Sequence, residues 1–227
     1  MTRPVLALLL ASALCGCNSI ATKPLSPEHA SALSGKTIAL AQRANADFTA
    51  MTAGKTMFGP FGVASMENAG NAIARKFGID DPARQIGTSL TDRLIESHGM
   101  FRVASTHAVR SDRIGSLIAS YPGTDYLLDV KTIVWMMNYL PSDWSRYRIA
   151  YGAHFRLIDA AQRNVIAEME CRSVQGEDDD PPSMTQLLQN QAALLKEYVE
   201  KNGRFCSGLI ATELLGLPES EPPPPGP

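Results

Sequence analysis

Over residues 146–159 apolar and polar side chains alternate with a period of two. The odd positions are Tyr147, Ile149, Tyr151, Ala153, Phe155 and Leu157, while the even ones include Arg146, Arg148, His154 and Arg156. Successive side chains of a strand point to opposite faces, so this pattern predicts a strand with its odd face on a core. The stretch "NVIAEMECR" answers it, with Val165, Ala167, Met169 and Cys171 on one parity and Glu168, Glu170 and Arg172 on the other. Only "DAAQRN" separates the two, which predicts an antiparallel hairpin. "DYLLDVKTIVWMMNY" reads as a third strand, set off by the turn "LPSDWS". Together they predict a three-stranded antiparallel meander.

Upstream the period changes. "KTIALAQR" (36–43) reads as a first strand, and "GVASMENAGNAIARKF" spaces Val63, Met66, Ala69, Ile73 and Phe77 as one helical face. Asp81 offers an N-cap with Pro82 at the first helical position, and Ile86, Leu90 and Leu94 carry an apolar face to Gly99. "MFRVAS" (100–105) is a short strand, and a helix near 111–119 buries Ile114 with Leu117 or Ile118. The order strand, helix, helix, strand, helix implies crossover connections and partly parallel pairing. Beyond the meander, Ser183 and Gln186 form a capping box. Leu187, Leu188, Leu194, Leu195, Tyr198 and Val199 then supply a helical stripe. Asn202-Gly203 predicts a break or a bend before a last helix to Leu215, stopped by Gly216 and Pro218. The fold class expected is α/β (α+β): one domain over residues 36–215, with a mixed sheet, N-terminal β-α-α-β-α units, the meander and C-terminal helices. Residues 17–35 lack hydrophobic periodicity and read as a flexible tether, and residues 216–227, ending "EPPPPGP", read as an extended proline-rich stub.

The first residues change the picture of where this domain works. Arg3 precedes an apolar run over 5–14. That run is far short of the roughly 20 residues needed to cross a bilayer, and small residues follow it, so residues 1–16 read as a secretory signal peptide. Leu14, Cys15, Gly16 and Cys17 resemble the lipobox of bacterial lipoproteins. The resemblance implies cleavage before Cys17 and acylation of that residue, giving a membrane anchor of several acyl chains. Cys15 would leave with the signal peptide. In that family an aspartate after the anchor marks inner-membrane retention; Asn18 stands here instead, which implies the outer membrane with the domain facing the periplasm.

Cys171 and Cys206 are the cysteines that remain. In an oxidising envelope compartment they are expected to pair, closing a loop of about 36 residues worth roughly 4 kcal/mol in the chain-entropy account, the alternative being two buried thiols. Formal net charge is -2, which gives no basic excess for nucleic acid. His29, His98, His107 and His154 show no metal-ligand spacing, and the acidic stretch "GEDDDPP" lacks the regular ligand spacing of a calcium loop. No metal and no cofactor is therefore expected. Nucleotide-binding and nucleophile-elbow motifs are absent from the sequence, and no catalytic residue is nominated. Arg146, Arg148 and Arg156 are expected to pair across the hairpin with Glu168 and Glu170. Of Asp125 and Asp129, on one parity of the third strand, one is expected to be structural. Trp135, Tyr139 and Trp144 surround the turn, opposite in parity to Leu128, Val130 and Val134. They are the candidate partner-binding residues if helices leave that face open, and a second packed layer if they do not.

Residues 123–171 resemble a family of proteobacterial lipoproteins of unassigned function, through D-Y-x-L-D-V, D-W-x-R-Y-R, R-L-I-D and the closing Cys171. The order of elements is more loosely similar to the envelope lipoproteins of curli export, exopolysaccharide export and penicillin-binding-protein activation. The resemblance implies action by contact and assembly. The expected role is a non-enzymatic outer-membrane lipoprotein that binds an envelope protein or a second copy of itself. An export-pore subunit and an envelope hydrolase without an identifiable site are the alternatives.

Overall fold

The computed structural model describes residues 21–51, 59–104, 108–177 and 180–218. Cys17, the signal-peptide region, His107 and residues 219–227 lie outside them. The three long strands form where the alternation is strongest: β6 (Tyr126–Leu140), β7 (Asp143–Asp159) and β8 (Asn164–Gln175) pair antiparallel in succession. The odd-numbered residues of β7 from Tyr147 to Leu157 are all buried. On the N-terminal side, β1 (Thr37–Leu40) and β3 (Thr49–Met51) both pair parallel with β6, one after the other along the same edge. The edge strand β4 (Phe101–Arg102) pairs parallel with β1. The predicted first strand breaks at Ala41. Its continuation, β2 (Gln42–Arg43), pairs instead with β5 (Ala108–Val109) in a separate two-stranded ladder. The molecule is a single α/β domain built on this mixed six-stranded sheet.

Three helices, α2 (Gly59–Phe77), α3 (Pro82–His98) and α5 (Met184–Leu209), cover one face and close the main core with Ile38, Val130, Phe155, Ile86, Leu90 and Leu195. Asp81 caps α3 through the amide of Ala83 with Pro82 beside it, and Gly99 ends the helix at a left-handed φ of 61°. Ser183 and Gln186 make the reciprocal capping box of α5. Gly70 lets α2 lie directly on β3, because a Cβ there would stand 1.8 Å from the carbonyl oxygen of Phe48. On the opposite face a smaller helix, α4 (Ile114–Ala119), packs Leu117 against Ala39, Leu127 and Ile158.

The structure corrects several expectations. Residues 21–35 are not a free tether as far as they are described. Lys23 bridges to Glu168 on the outer edge of β8, the Leu25 amide donates to the carbonyl of Leu214 at 2.8 Å, and Leu33 is fully buried. Between them, α1 (Pro27–Ala32) is capped by Ser26. At the other end, Leu217 is buried, so the packed chain extends past residue 215. Asn202-Gly203 does not break α5. The Asn202 side-chain Nδ2 donates to the carbonyl of Ile149 at 3.2 Å and the residue is buried, and Gly203 permits close approach to Pro82. The helix is interrupted earlier, where Asn190, Gln191 and Ala192 take left-handed backbone angles, and it finishes in a π-helical turn at Ile210–Leu214. Val165 packs with the smaller cluster rather than with Ala167, because Ile166 is an extra residue in the β7–β8 register.

Candidate interaction site at the end of the β6–β7 hairpin

The third strand begins with even residues inward: Tyr126, Leu128 and Val130 line the main core. Thr132 then faces Ala153 and Val134 faces Gly152, so Ile133 is an unpaired extra residue. Because side chains alternate, one inserted residue exchanges the two faces of everything beyond it. Trp135 and Met137 therefore point into the core, and Val134 does not. Trp135 is 4% exposed and lies against Phe48 with ring centroids 5.0 Å apart. This removes Trp135 from the candidate partner-binding set, where the sequence parity had placed it.

Tyr139 follows on the same face as Trp135, half-buried and packed on the rim of the core. Trp144 is 66% exposed, the most exposed large apolar side chain among the described residues. The two rings meet edge to face at 6.2 Å and 65°. A second register shift between Tyr139 and Leu140 leaves the end of the hairpin irregular. One oxygen of Asp143 orders it, accepting from the Ser145 amide at 2.9 Å and from the Ser145 hydroxyl at 2.6 Å. These bonds, the hydroxyl's first, hold the Asp143 carboxyl below the usual carboxylate range. Residue 144 thus sits inside a local hydrogen-bonded turn with its ring steadied by Tyr139. Such an aromatic pair presents a rigid apolar surface at low entropic cost, the kind of anchor that protein interfaces concentrate their energy on.

The charged side chains assemble differently from the expected cross-hairpin ladder. Arg156 reaches Asp129 at 2.5 Å and the carbonyl of Asp112, while Arg43 grips the same Asp129 with a two-nitrogen fork at 2.7 and 2.9 Å. Asp112 takes the third Arg43 nitrogen at 2.9 Å and Lys131 at 2.6 Å. Asp129 is 1% exposed, so both its oxygens are engaged where water cannot serve them. Burial lowers the Arg43 pKa, but Asp129, and then Asp112, outweigh that effect and raise it above its ordinary value. Asp112 is held low by the hydrogen bond from Lys131 first. Arg148 pairs with Glu177, Arg146 with Asp180, and Glu170 with Arg172. Of the expected ladder only Glu168 bonds across β7, and it does so to His154 at 2.8 Å. The cluster of Arg43, Lys131 and Arg156 with Asp112 and Asp129 joins β2, β6, β7 and the loop before α4, and each of its charged groups has an ion partner. Arg43 was invisible to the sequence reading because its partner lies 86 residues away.

Asp125 is structural too, and it accepts from both the amide and the hydroxyl of Thr37, at 2.8 and 2.7 Å. Cys171 and Cys206 are joined by a disulfide with Cα atoms 5.6 Å apart, tying β8 to α5. Burial pushes the Tyr151 hydroxyl far up, where it contacts the Thr132 hydroxyl at 3.1 Å. Among the described residues no group of three His, Cys, Asp or Glu side chains is placed to hold a metal ion. No helix among them is long and apolar enough to cross a membrane.

No family model matches this chain, and no curated protein sequence matches it. Among solved structures it is similar to a Xanthomonas campestris protein of the DUF330 family, at 10% identity over 80% of this chain and 87% of that one, with a TM-score of 0.39. It is similar to a minor lipoprotein of Acinetobacter baumannii at 10% identity over 82% and 98%, TM-score 0.35. A PelC dodecamer from Paraburkholderia phytofirmans matches at 13% identity over 80% and 92%, TM-score 0.33. TM-scores below 0.5 do not establish a common fold, so these likenesses carry no role over to this chain.

Proposed function

We propose that this chain is a non-enzymatic envelope lipoprotein, anchored in the outer membrane through acylated Cys17, whose periplasmic domain binds another envelope protein through the end of the β6–β7 hairpin. The observation that carries the binding role is Trp144: an indole left in solvent, backed edge-on by Tyr139 and fixed between Asp143 and Ser145. Lone exposed apolar side chains are common, but a braced tryptophan on an ordered turn has already lost the freedom that binding would otherwise cost. The anchor reading rests on the lipobox residues Leu14, Gly16 and Cys17. Its geometry follows from the packed N-terminal segment: four residues take Cys17 to Ala21, at most about 14 Å of chain. The β8 edge would then be held close to the bilayer.

The test is purification of the intact, acylated protein from membranes in mild detergent, with Trp144→Ala prepared alongside. The expected result is a small set of envelope proteins recovered in near-stoichiometric amount with the parent chain and depleted about tenfold with the variant, a loss of about 1.4 kcal/mol at one aromatic anchor. Equal recovery with both chains, or no partner with either, contradicts the hairpin reading.

A further inference from the structure

Helices α3 and α5 touch where Ser207 donates to Ser89 at 3.1 Å and where Gly203 approaches Pro82. Beside this contact lies an open groove of about 800 Å³, with Ile79, Pro82 and Val199 in its wall. Charged side chains from both helices line it. Of the acids, Asp92 is paired with Arg102, Glu200 is paired with Arg204 at 3.2 Å, and buried Asp81 is engaged by Ala46, Ala83 and Thr132. Asp80 makes no ion pair among the described residues, and the donors to Asp81 are all neutral. Of the bases, Arg84 and Lys196 make no ion pair among the described residues, and Arg93 donates to a neutral backbone carbonyl. By the same measure the groove holds three cations without an ion pair among the described residues, Arg84, Arg93 and Lys196, against two carboxylates without one, Asp80 and Asp81.

The carbonyl that Arg93 holds belongs to Pro218. Leu217 before it is buried and its amide donates to Ala211 at 2.8 Å, so the chain is delivered to this groove by packed structure. The next residues along the chain are Glu219, Ser220, Glu221 and four prolines at 222–225. We propose that this proline-rich segment docks in the α3–α5 groove of its own chain, with Glu219 and Glu221 against Arg84, Arg93 and Lys196 and the prolines on the apolar wall. The two carboxylates would meet cations that no ion pair on the groove wall already takes. The reach is also sufficient: from Arg93 back to Asp81 the groove follows twelve residues of helix, about 18 Å, and nine residues in polyproline geometry extend about 28 Å. Proline loses little freedom on docking, and attachment at the mouth of the groove makes the encounter intramolecular. The inference stands apart from the hairpin, which lies on other elements.

Thr88 is exposed in the groove lining and serves as a reporter. In the full exported chain carrying Thr88→Cys, maleimide labelling at residue 88 is followed by peptide-resolved mass spectrometry; the buried Cys171–Cys206 disulfide does not compete. Labelling is expected to be about tenfold slower than in the same chain ending at Pro218, the factor for a groove occupied about nine-tenths of the time. Glu219→Lys with Glu221→Lys should abolish the protection, and adding Arg84→Glu with Lys196→Glu should restore it. A synthetic peptide of residues 218–227 should slow labelling of the shortened chain. Equal rates in the full and shortened chains overturn the proposal, and full protection by the charge-reversed segment overturns its ion pairs. Docking stabilises only the folded chain, so the thermal midpoint of the full chain is expected a few degrees above that of the shortened one, and superimposable circular-dichroism spectra across the set show that the fold itself is not altered.

Discussion

Trp135 and Trp144 stand nine residues apart in one hairpin and have opposite physical roles. Trp135 fills space against Phe48, so Trp135→Ala removes buried aromatic area and leaves a cavity, and is expected to destabilise the domain by about 3–5 kcal/mol. Trp144→Ala touches little besides Tyr139 and should change stability by less than about 0.5 kcal/mol. Chemical denaturation of both variants checks the contrast, and comparable losses would refute the parity exchange at Ile133. Asp125 gives a prediction in pH. Its folded-state pKa is depressed, by the Thr37 amide first and then by the Thr37 hydroxyl. A depressed carboxyl contributes stability that is present above its unfolded value of about 3.9 and is lost as pH falls through the folded value. The gap in thermal midpoint between the parent chain and Asp125→Asn should accordingly be largest near about pH 7 and close in acid, below about pH 4. A gap that stays constant into acid would show that the Thr37 clasp does not favour the ionised carboxylate.

At the scale of elements, the disulfide fastens the sheet to the helix that covers it. Cys171 and Cys206 are both fully buried and enclose a sequence separation of 35 residues. Replacing both by alanine should cost roughly 4 kcal/mol and lower the thermal midpoint by on the order of 10 °C, read by calorimetry. An unchanged midpoint would mean that packing alone holds α5 on β8. Which elements could be foreseen depends on how local their causes are. β7 was legible because one of its faces is buried without interruption from Tyr147 to Leu157, and the caps at Asp81 and Ser183 because each acts within three residues of itself. The bulge in β6 was not legible. In "TIVWMM" every residue but the first is apolar, so either parity fits and the inserted Ile133 leaves no mark. The break expected at Asn202-Gly203 follows local propensity, which the tertiary contacts to Ile149 and Pro82 override. Residues 21–35 read as tether because Leu25 and Leu33, their apolar attachments, stand eight residues apart with no large apolar residue between them to mark a period. Of the three candidate aromatics, the bulge carries both Trp135 and Tyr139 to the core side, which the sequence parity did not show, and Trp144 stands exposed beside the turn.

For the molecule as a whole, the packed N-terminal segment and the hairpin set the proposed geometry. Lys23 and Leu25 are fixed against β8 and Leu214, so an anchor at Cys17 would leave the domain little room to move away from the membrane. The hairpin then becomes a probe of fixed length offered from a fixed platform, which suits a partner held in the same envelope. Site-specific photo-crosslinking at residue 144, in cells producing the full acylated chain, tests this most directly. The account predicts a discrete higher-mass adduct with one envelope protein, absent when the same photoreactive residue is placed at exposed Glu197 on α5. Adducts with lipid or solvent alone at residue 144, or the same pattern from both positions, would contradict it.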